Sequence, residues 1–347
     1  MKDLKELKRN ELIKELKNAG FPAYRGEQVF NWLYKNGISE TEKMKNIPGE
    51  LKEYLNDNYE ITDLKEKAKS QAADGTIKYL WELKDGENIE GVYLPFPESA
   101  RHSACISTQV GCGLGCSFCA TGINGLERNL TTAEIIDQVL KIQADISRDE
   151  FAEPRLSNIV FMGMGEPLAN FENLMQAVEI INSDNGLNIG MRKMTISTVG
   201  LVPEIKKLAD RNDQIGLAVS LHAPNDRLRN KIMPINKKYN LNQLLTAVID
   251  YIEKTGRRVT FEYVLMDSVN DSPELAVQLV ELLRGINCHV NLIPANPVPE
   301  LNIKKPVQKV IDSFYSTLDN NGIQVSLRRE MGSQIDAACG QLKRQES

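Results

Sequence analysis

Three cysteines, Cys112, Cys116 and Cys119, stand in the run GCGLGCSFCATG with the spacing C-x-x-x-C-x-x-C, in a chain that holds six cysteines among 347 residues. A closed iron–sulfur cubane or a structural zinc takes four protein ligands, commonly from two paired motifs. A tight trio standing alone would leave one iron of a 4Fe-4S cluster open to bind and reduce another molecule. An open iron points to catalysis, whereas a closed cluster only passes electrons on. Gly111, Gly113 and Gly115 let the backbone wrap closely around a bulky cluster. The competing reading of the trio is a zinc loop completed by a distant Cys or His.

One strand–helix unit later, FMGMGEPLAN offers exposed backbone groups and the carboxylate of Glu166 at a Gly-rich strand end. Alone, this turn reads equally well as a helix-capping acid. Placed after the trio, it suits an ammonium group held near the cluster. The trio followed by Gly165, Glu166 and Pro167 resembles the radical S-adenosylmethionine superfamily. That resemblance implies an open iron chelating the amino and carboxylate groups of S-adenosylmethionine, with Glu166 accepting from the amino group. The reduced cluster then cleaves the sulfonium to a 5′-deoxyadenosyl radical.

The resemblance extends over nearly the whole chain. CISTQVGCGLGCSFCATG, IVFMGMGEPLAN, TISTVGLVP, AVSLHAPND, KIMPINKKY, RRVTFEYVLMDSVNDS, CHVNLIPANPVP and IDAACGQL, in this order, are similar to the bacterial RNA adenine carbon-2 methyltransferases. The family implies one adenosine of 23S rRNA and one of the tRNA anticodon loop as substrates, and an electron donor such as flavodoxin. By motif, Ser197 of TISTVG, Ser220, Leu221 and His222 of SLH, and Asn296 of IPANP join Gly165 and Glu166 around the S-adenosylmethionine. Ser197, Ser220 and Asn296 also fall at strand C-terminal ends, the face where barrel enzymes keep their chemistry. His222 read alone is as easily a satisfied core histidine.

Carbon 2 of adenine is neither acidic nor nucleophilic, so direct displacement on the methyl sulfonium fails. A radical route needs the methyl group placed on the enzyme first, and a thiolate is the side chain best suited to take it. Cys105 in ACIST and Cys339 in AACGQL are the isolated candidates. Without the family, Cys105 reads as a small buried hydrophobe and Cys339 is undecided. The resemblance implies that Cys339 is methylated by a first S-adenosylmethionine. It further implies that Cys105 takes the ring proton and forms a transient disulfide with Cys339. Glu90 in IEGVYLP matches a family position that accepts a proton; read alone it is a surface strand acid, and Glu87 is its nearest competitor. The connecting stretch LPFPESARHSAC is longer and less acidic than the family's usual link, which leaves the register of Glu90 open but not that of Cys105. Cys288 reads as core.

These residues need elements to place them. Residues 1–60 read as helices: LKELKRNELIKELKNAGF with Leu4, Leu7, Leu12, Ile13 and Leu16 on one side, then EQVFNWLYKNG and GELKEYLNDNY. Eleven basic and eleven acidic residues there leave both a plain helical core and an RNA-docking accessory domain open. Residues 61–97 read as a β-hairpin linker bounded by Asp-Gly turns. Across 98–327 strands and helices alternate, which predicts an α/β domain with a parallel sheet. A partial (β/α)6 barrel is expected, with a flat doubly wound sheet as the alternative. Residues 328–347 form a polar tail carrying Cys339, placed to fold over the barrel mouth.

Composition is that of an ordinary globular enzyme, with 41% hydrophobic and 26% charged residues. The net charge of −5 gives no global basic signature for nucleic acid. The basic pairs Lys237–Lys238, Arg257–Arg258 and Arg328–Arg329 are the nearest to phosphate clamps and read more readily as solvated faces. Charges throughout Met1 to Lys17 and a clustered cysteine set predict a cytoplasmic protein without a secretory signal. No window approaches the roughly 20 apolar residues of a membrane helix, and a monomer is expected. The related carbon-8 adenosine methyltransferases, an iron–sulfur electron carrier or redox sensor, and a zinc-bound RNA-binding module are the alternatives.

Overall fold

The computed structural model describes residues 1–147, 155–296, 301, 303–329, 331–338 and 340–342. The chain opens with strand β1 (Lys2–Asp3), a tight turn over Leu4–Glu6, and helices α1 (Arg9–Asn18), α2 (Ala23–Tyr34) and α3 (Gly49–Asn58). Strand β2 (Tyr59–Glu60) returns parallel to β1. The single helix expected from Leu4 onward is therefore broken. Leu7 is extended at φ −85° and ψ 127°, and the Glu11 carboxylate accepts the Lys8 N–H at 2.9 Å to start α1 afresh. Leu4 and Leu7 stay in the core because a turn followed by an extended residue buries them as well as a helix would.

Strands β3 (Lys65–Gln71), β4 (Ile77–Glu82) and β5 (Asn88–Phe96) form an antiparallel meander in which Ile77, Tyr79 and Trp81 are buried and Lys78, Leu80 and Glu82 are half-buried. β5 pairs with strand β6 (Arg101–Cys105). The hairpins expected as a linker thus form the antiparallel edge of the main sheet. Beyond β6 come a small ribbon of β7 (Gln109–Gly111) and β8 (Leu126–Asn129), helix α4 (Thr132–Ile146), strand β9 (Asn158–Phe161) and helix α5 (Phe171–Asn182). The alternation continues with β10 (Met194–Thr198), α6 (Val202–Arg211), β11 (Gly216–Ser220), α7 (Asp226–Ile232) and α8 (Leu241–Thr255). It closes with β12 (Val259–Leu265), α9 (Pro273–Leu283), β13 (Cys288–Pro294), α10 (Gln308–Asn320) and β14 (Val325–Leu327).

Among the described residues one sheet of ten strands runs β14-β13-β12-β11-β10-β9-β6-β5-β4-β3. From β6 to β14 every pairing is parallel, with a helical crossover at each step. Leu94 of β5 and Leu327 of β14 line the same cavity although they stand far apart in that order. The sheet must therefore be curled into an open, partial barrel, and the flat alternative fails. Ile159, Ile196, Val219, Phe261 and Val290 are fully buried on its strands, each contributing about 1.5–3 kcal/mol of apolar burial. The N-terminal helices are fastened to the barrel by a buried ion pair. Lys5 Nζ lies 2.5 Å from Asp137 Oδ1 of α4 and also donates to Thr62 O and Ser39 Oγ, while Asp137 Oδ2 accepts the Leu64 N–H at 2.7 Å. No helix among the described residues is long and apolar enough to cross a membrane.

Candidate active site

The β7–β8 ribbon brackets the loop that carries the cysteine trio. Gly111 has φ +76°, and a Cβ there would stand 2.0 Å from Gly125 O, so only glycine closes the loop. The Cys112 N–H then donates to Gly125 O at 2.8 Å, and the Ser117 N–H donates to Ile232 O of α7 at 2.9 Å. Cys112, Cys116 and Cys119 line one cavity of about 150 Å³. Burial pushes the Cys112 thiol up to about 11 and the Cys116 thiol higher still; Cys119 adds to the rise at both, and Cys112 adds to it at Cys116. Among the described residues no three His, Cys, Asp or Glu side chains converge as a single metal ion requires. Three soft donors set around a cavity suit a cluster whose irons take one thiolate each better than they suit one tetrahedral zinc.

Gly165, Glu166, Ser197, Ser220, His222 and Asn296 line the same cavity. Gly165, at φ +100°, lets the turn pass Gln109, whose Cβ would be 2.5 Å from any added side chain. Gln109 Oε1 in turn accepts the Glu166 N–H at 2.7 Å. The Glu166 carboxylate takes the Leu168 N–H on Oε1 at 3.1 Å and the Val199 N–H on Oε2 at 2.9 Å. The Thr198 side chain also hydrogen-bonds this carboxylate, so of its roughly four lone-pair sites about one is left for a further donor. Burial raises this carboxyl to about 7, against the lowering effect of the Val199, Thr198 and Leu168 hydrogen bonds. It therefore sits poised for a cationic or N–H partner.

His222 adopts φ +56°, fixed by Asn270 Nδ2 donating to its carbonyl at 2.8 Å. Its Nδ1 accepts the Val264 N–H at 3.0 Å, which places the proton of the neutral ring on Nε2. Burial, assisted by the Arg229 charge, depresses its pKa to about 3, so the ring stays neutral.

A second cavity of about 500 Å³ adjoins the first, sharing Cys119, Met162, Asn296 and Gly340 in its wall. Cys105, at the end of β6, lines it. The C-terminal tail lines it too, through Ala337, Ala338, Gly340 and Leu342. The tail is held by the Ala120 N–H donating to Gly340 O at 2.8 Å and by Thr121 Oγ1 donating to Leu342 O at 2.6 Å. Cys339 itself lies outside the described residues, as does any bond it makes. Its neighbours on both sides line the cavity that holds Cys105.

Comparison with known proteins accords with this arrangement. Residues 106–280 match the radical SAM superfamily, and residues 2–61 match the ribosomal RNA large subunit methyltransferase N-terminal domain. A radical SAM methyltransferase from Sphaerobacter thermophilus superposes with a TM-score of 0.93 at 45% identity, covering 99% of each chain. A protein of Alkaliphilus oremlandii described as "Probable dual-specificity RNA methyltransferase RlmN" is 49% identical over 99% of this chain and 97% of its own. One of Bacillus licheniformis with the same description is 48% identical over 97% of this chain and 92% of its own. The chain belongs to the RlmN family of the radical SAM superfamily.

Two residues expected for an RlmN-family site stand apart from the cluster cavity. Leu221 does not line it: the side chain is fully buried, its N–H donates to Glu262 O and its carbonyl accepts from Arg229 Nε. Glu90 is buried on β5 and is not a surface acid. Val92 pairs with Cys105 across β5 and β6, so Glu90, two residues along, faces the same side of the sheet as Cys105. Its Oε1 lies 3.3 Å from Lys78 Nζ. Glu87, the competitor, is half-buried at the end of the β4–β5 turn. Cys288 is buried, as a core cysteine should be. Glu262, buried where both cavities meet, and Arg229, buried behind Ser220, escaped sequence reasoning. Strand alternation around Ser220 and Asn296 offered a signal for Glu262; nothing local marks Arg229.

Proposed function

We propose that this chain methylates carbon 2 of one adenosine in 23S rRNA and one in the tRNA anticodon loop, through a methylated Cys339. One observation carries the reading: the cavity ringed by the cysteine trio opens into the cavity lined by Cys105 and by both neighbours of Cys339. When bound, a 4Fe-4S cluster and S-adenosylmethionine supply the methyl group and, from a second cofactor molecule, the 5′-deoxyadenosyl radical. Cys112, Cys116 and Cys119 hold the cluster. Glu166 accepts from the amino group of the cofactor, and Ser197, Ser220, His222 and Asn296 orient the rest of it. His222, neutral with its proton on Nε2, serves as a hydrogen-bond donor and not as an acid.

Cys339 takes the methyl group as a thiolate, loses one hydrogen atom from it and presents the resulting carbon to the base. The adduct loses one electron, which the bound cluster would take back, and gives the carbon-2 proton to Cys105, which passes it to Glu90 on the same face of the sheet. The Cys105 thiolate then bonds the Cys339 sulfur as the sulfur–carbon bond breaks, the departing carbon takes up a proton to complete the methyl group, and the external electron donor reduces the disulfide. The larger cavity, at about 500 Å³, falls within the range of small-ligand sites and has room for a base turned out of its stack. RNA binding through backbone contacts should weaken with salt. A flavodoxin-type donor, a cytoplasmic location and a monomeric state complete the reading.

Anaerobic turnover of the reconstituted protein with reductant, cofactor and ribosomal RNA, followed by mass spectrometry of the nucleosides, tests it. A 2-methyladenosine product lost in Cys339→Ala is expected. An 8-methyladenosine product would transfer the protein to the carbon-8 group. Cofactor cleavage without any methylated adenosine would overturn the substrate assignment, and a redox-active cluster without cofactor cleavage would favour an electron carrier or sensor.

A further inference from the structure

Arg229, on the two-turn helix α7, is wholly buried, and its guanidinium binds only neutral oxygens among the described residues. It donates to Val199 O at 2.7 Å, Ser220 O at 3.0 Å, Leu221 O at 3.1 Å and Asn236 Oδ1 at 2.8 Å. Val199 follows β10 and Ser220 ends β11, and both line the cavity of the cysteine trio. One fork thus ties together two adjacent strand ends that form the cofactor wall. The same helix supports the cluster loop: the Ser117 N–H donates to Ile232 O, and Cys116 and Phe118 pack on Ile232 and Met233 in a small apolar cluster separate from the main core.

A buried cation with neutral partners is costly unless an anion lies within reach of its field. Asp226, one turn earlier, acts on it, but that carboxylate is engaged by Asn236 Nδ2 and the Leu241 N–H. Arg229 stands on the helix whose end, at Ile232 and Met233, packs against Cys116, and it bonds the carbonyls of Val199 and Ser220 in the cavity wall, so its charge lies on the cysteine side of the cavity. Three cluster thiolates and a cofactor carboxylate would bring the missing negative charge to this side of the cavity.

We infer that Arg229 is a positioning residue for the cluster and cofactor, clamping the β10 and β11 ends through their carbonyls and holding a permanent positive charge behind Cys116. The inference rests on the reading of the trio as a 4Fe-4S site. A fixed positive charge stabilises the reduced, more negative cluster, so its removal should make the cluster harder to reduce. The clamp and the charge separate by substitution. Arg229→Lys keeps the charge but cannot span four acceptors. Arg229→Gln loses both.

The experiment compares reconstituted wild type, Arg229→Lys and Arg229→Gln by iron content, by redox titration of the reduced-cluster EPR signal and by calorimetric binding of S-adenosylmethionine. Arg229→Lys should keep the wild-type potential and bind the cofactor about 10- to 100-fold more weakly. Arg229→Gln should show the same weakening together with a more negative potential. A wild-type potential in Arg229→Gln would overturn the charge role, and wild-type affinity in Arg229→Lys would overturn the clamp. If Arg229→Gln does not fold, Asn236→Ala removes one acceptor and leaves the charge. Weaker cofactor binding at unchanged potential then supports the clamp, and unchanged binding overturns it. Wild-type protein that assembles no four-iron cluster would instead overturn the underlying reading.

Discussion

Ala120 donates its backbone N–H to the carbonyl of Gly340 at 2.8 Å, which joins the residue after Cys119 to the residue after Cys339. The cluster loop and the tail are thus docked by main chain, and Thr121 Oγ1 adds a second bond to Leu342 O at 2.6 Å. Thr121→Val should cost about 1 kcal/mol of tail docking. Cleavage of the cofactor to 5′-deoxyadenosine should persist while methylated adenosine falls about fivefold. Equal loss of both products would show that the bond serves the cluster and not the tail.

Gly165→Ala tests the turn that presents Glu166. Its Cβ would meet Gln109 Cβ at 2.5 Å in a backbone conformation that L side chains rarely adopt. Strain and overpacking together should destabilise the chain by about 2–4 kcal/mol. Cofactor binding should be lost before the fold is, because Gln109 also receives the Glu166 N–H. Calorimetric titration and thermal melting read the two effects apart. Unchanged cofactor affinity would show that the turn tolerates the shift.

The chemistry-bearing segments were legible because each is local. The trio, the Gly-Glu-Pro turn and the polar residues at successive strand ends lie in short runs, and the structure brings them to one cavity. Leu221 was carried in by its neighbours in SLH, yet its side chain belongs to the core. Strand β3 was missed because its seven residues are all exposed and show no apolar alternation; pairing with β4 holds it. The break at Leu7 was missed because Leu4 and Leu7 fit either a helix or a turn followed by an extended residue. Helix α7, only seven residues long, has no period to detect, and Arg229 differs from Arg227 only in which way the helix faces. The docking of the tail on the cluster loop spans more than 200 residues of sequence and leaves no local trace.

The Lys5–Asp137 pair should behave as a structural pin between the N-terminal helices and α4. Both side chains are essentially fully buried, and all their partners are internal. Asp137→Ala leaves the Lys5 ammonium buried without its countercharge and should cost about 3–5 kcal/mol by urea unfolding. A Lys5→Met, Asp137→Leu double variant should recover most of that loss, since it leaves no orphaned charge. A double variant as unstable as Asp137→Ala would show that the Leu64 and Thr62 backbone bonds, and not the charge, are what matter.

Glu166 and His222 carry opposite pH linkages in cluster-free protein. Glu166 rises from 4.5 to about 7 on folding, so the native chain holds a proton that the unfolded chain releases between those values. Its contribution is fully present below pH 4.5 and is lost as pH rises through 7, on the order of 3 kcal/mol. His222 falls from 6.5 to about 3, so the unfolded chain gains a proton that the native ring refuses. That contribution is present above pH 6.5 and is lost as pH falls toward 3, on the order of 5 kcal/mol. Between pH 4.5 and 6.5 the two slopes cancel. His222→Asn, which tolerates the positive φ, should unmask a stability that increases as pH falls through this window. Glu166→Gln should unmask the reverse slope. Denaturant midpoints measured from pH 4.5 to 7.5 read both curves, and parallel profiles for the two variants would refute the assignment of either linkage.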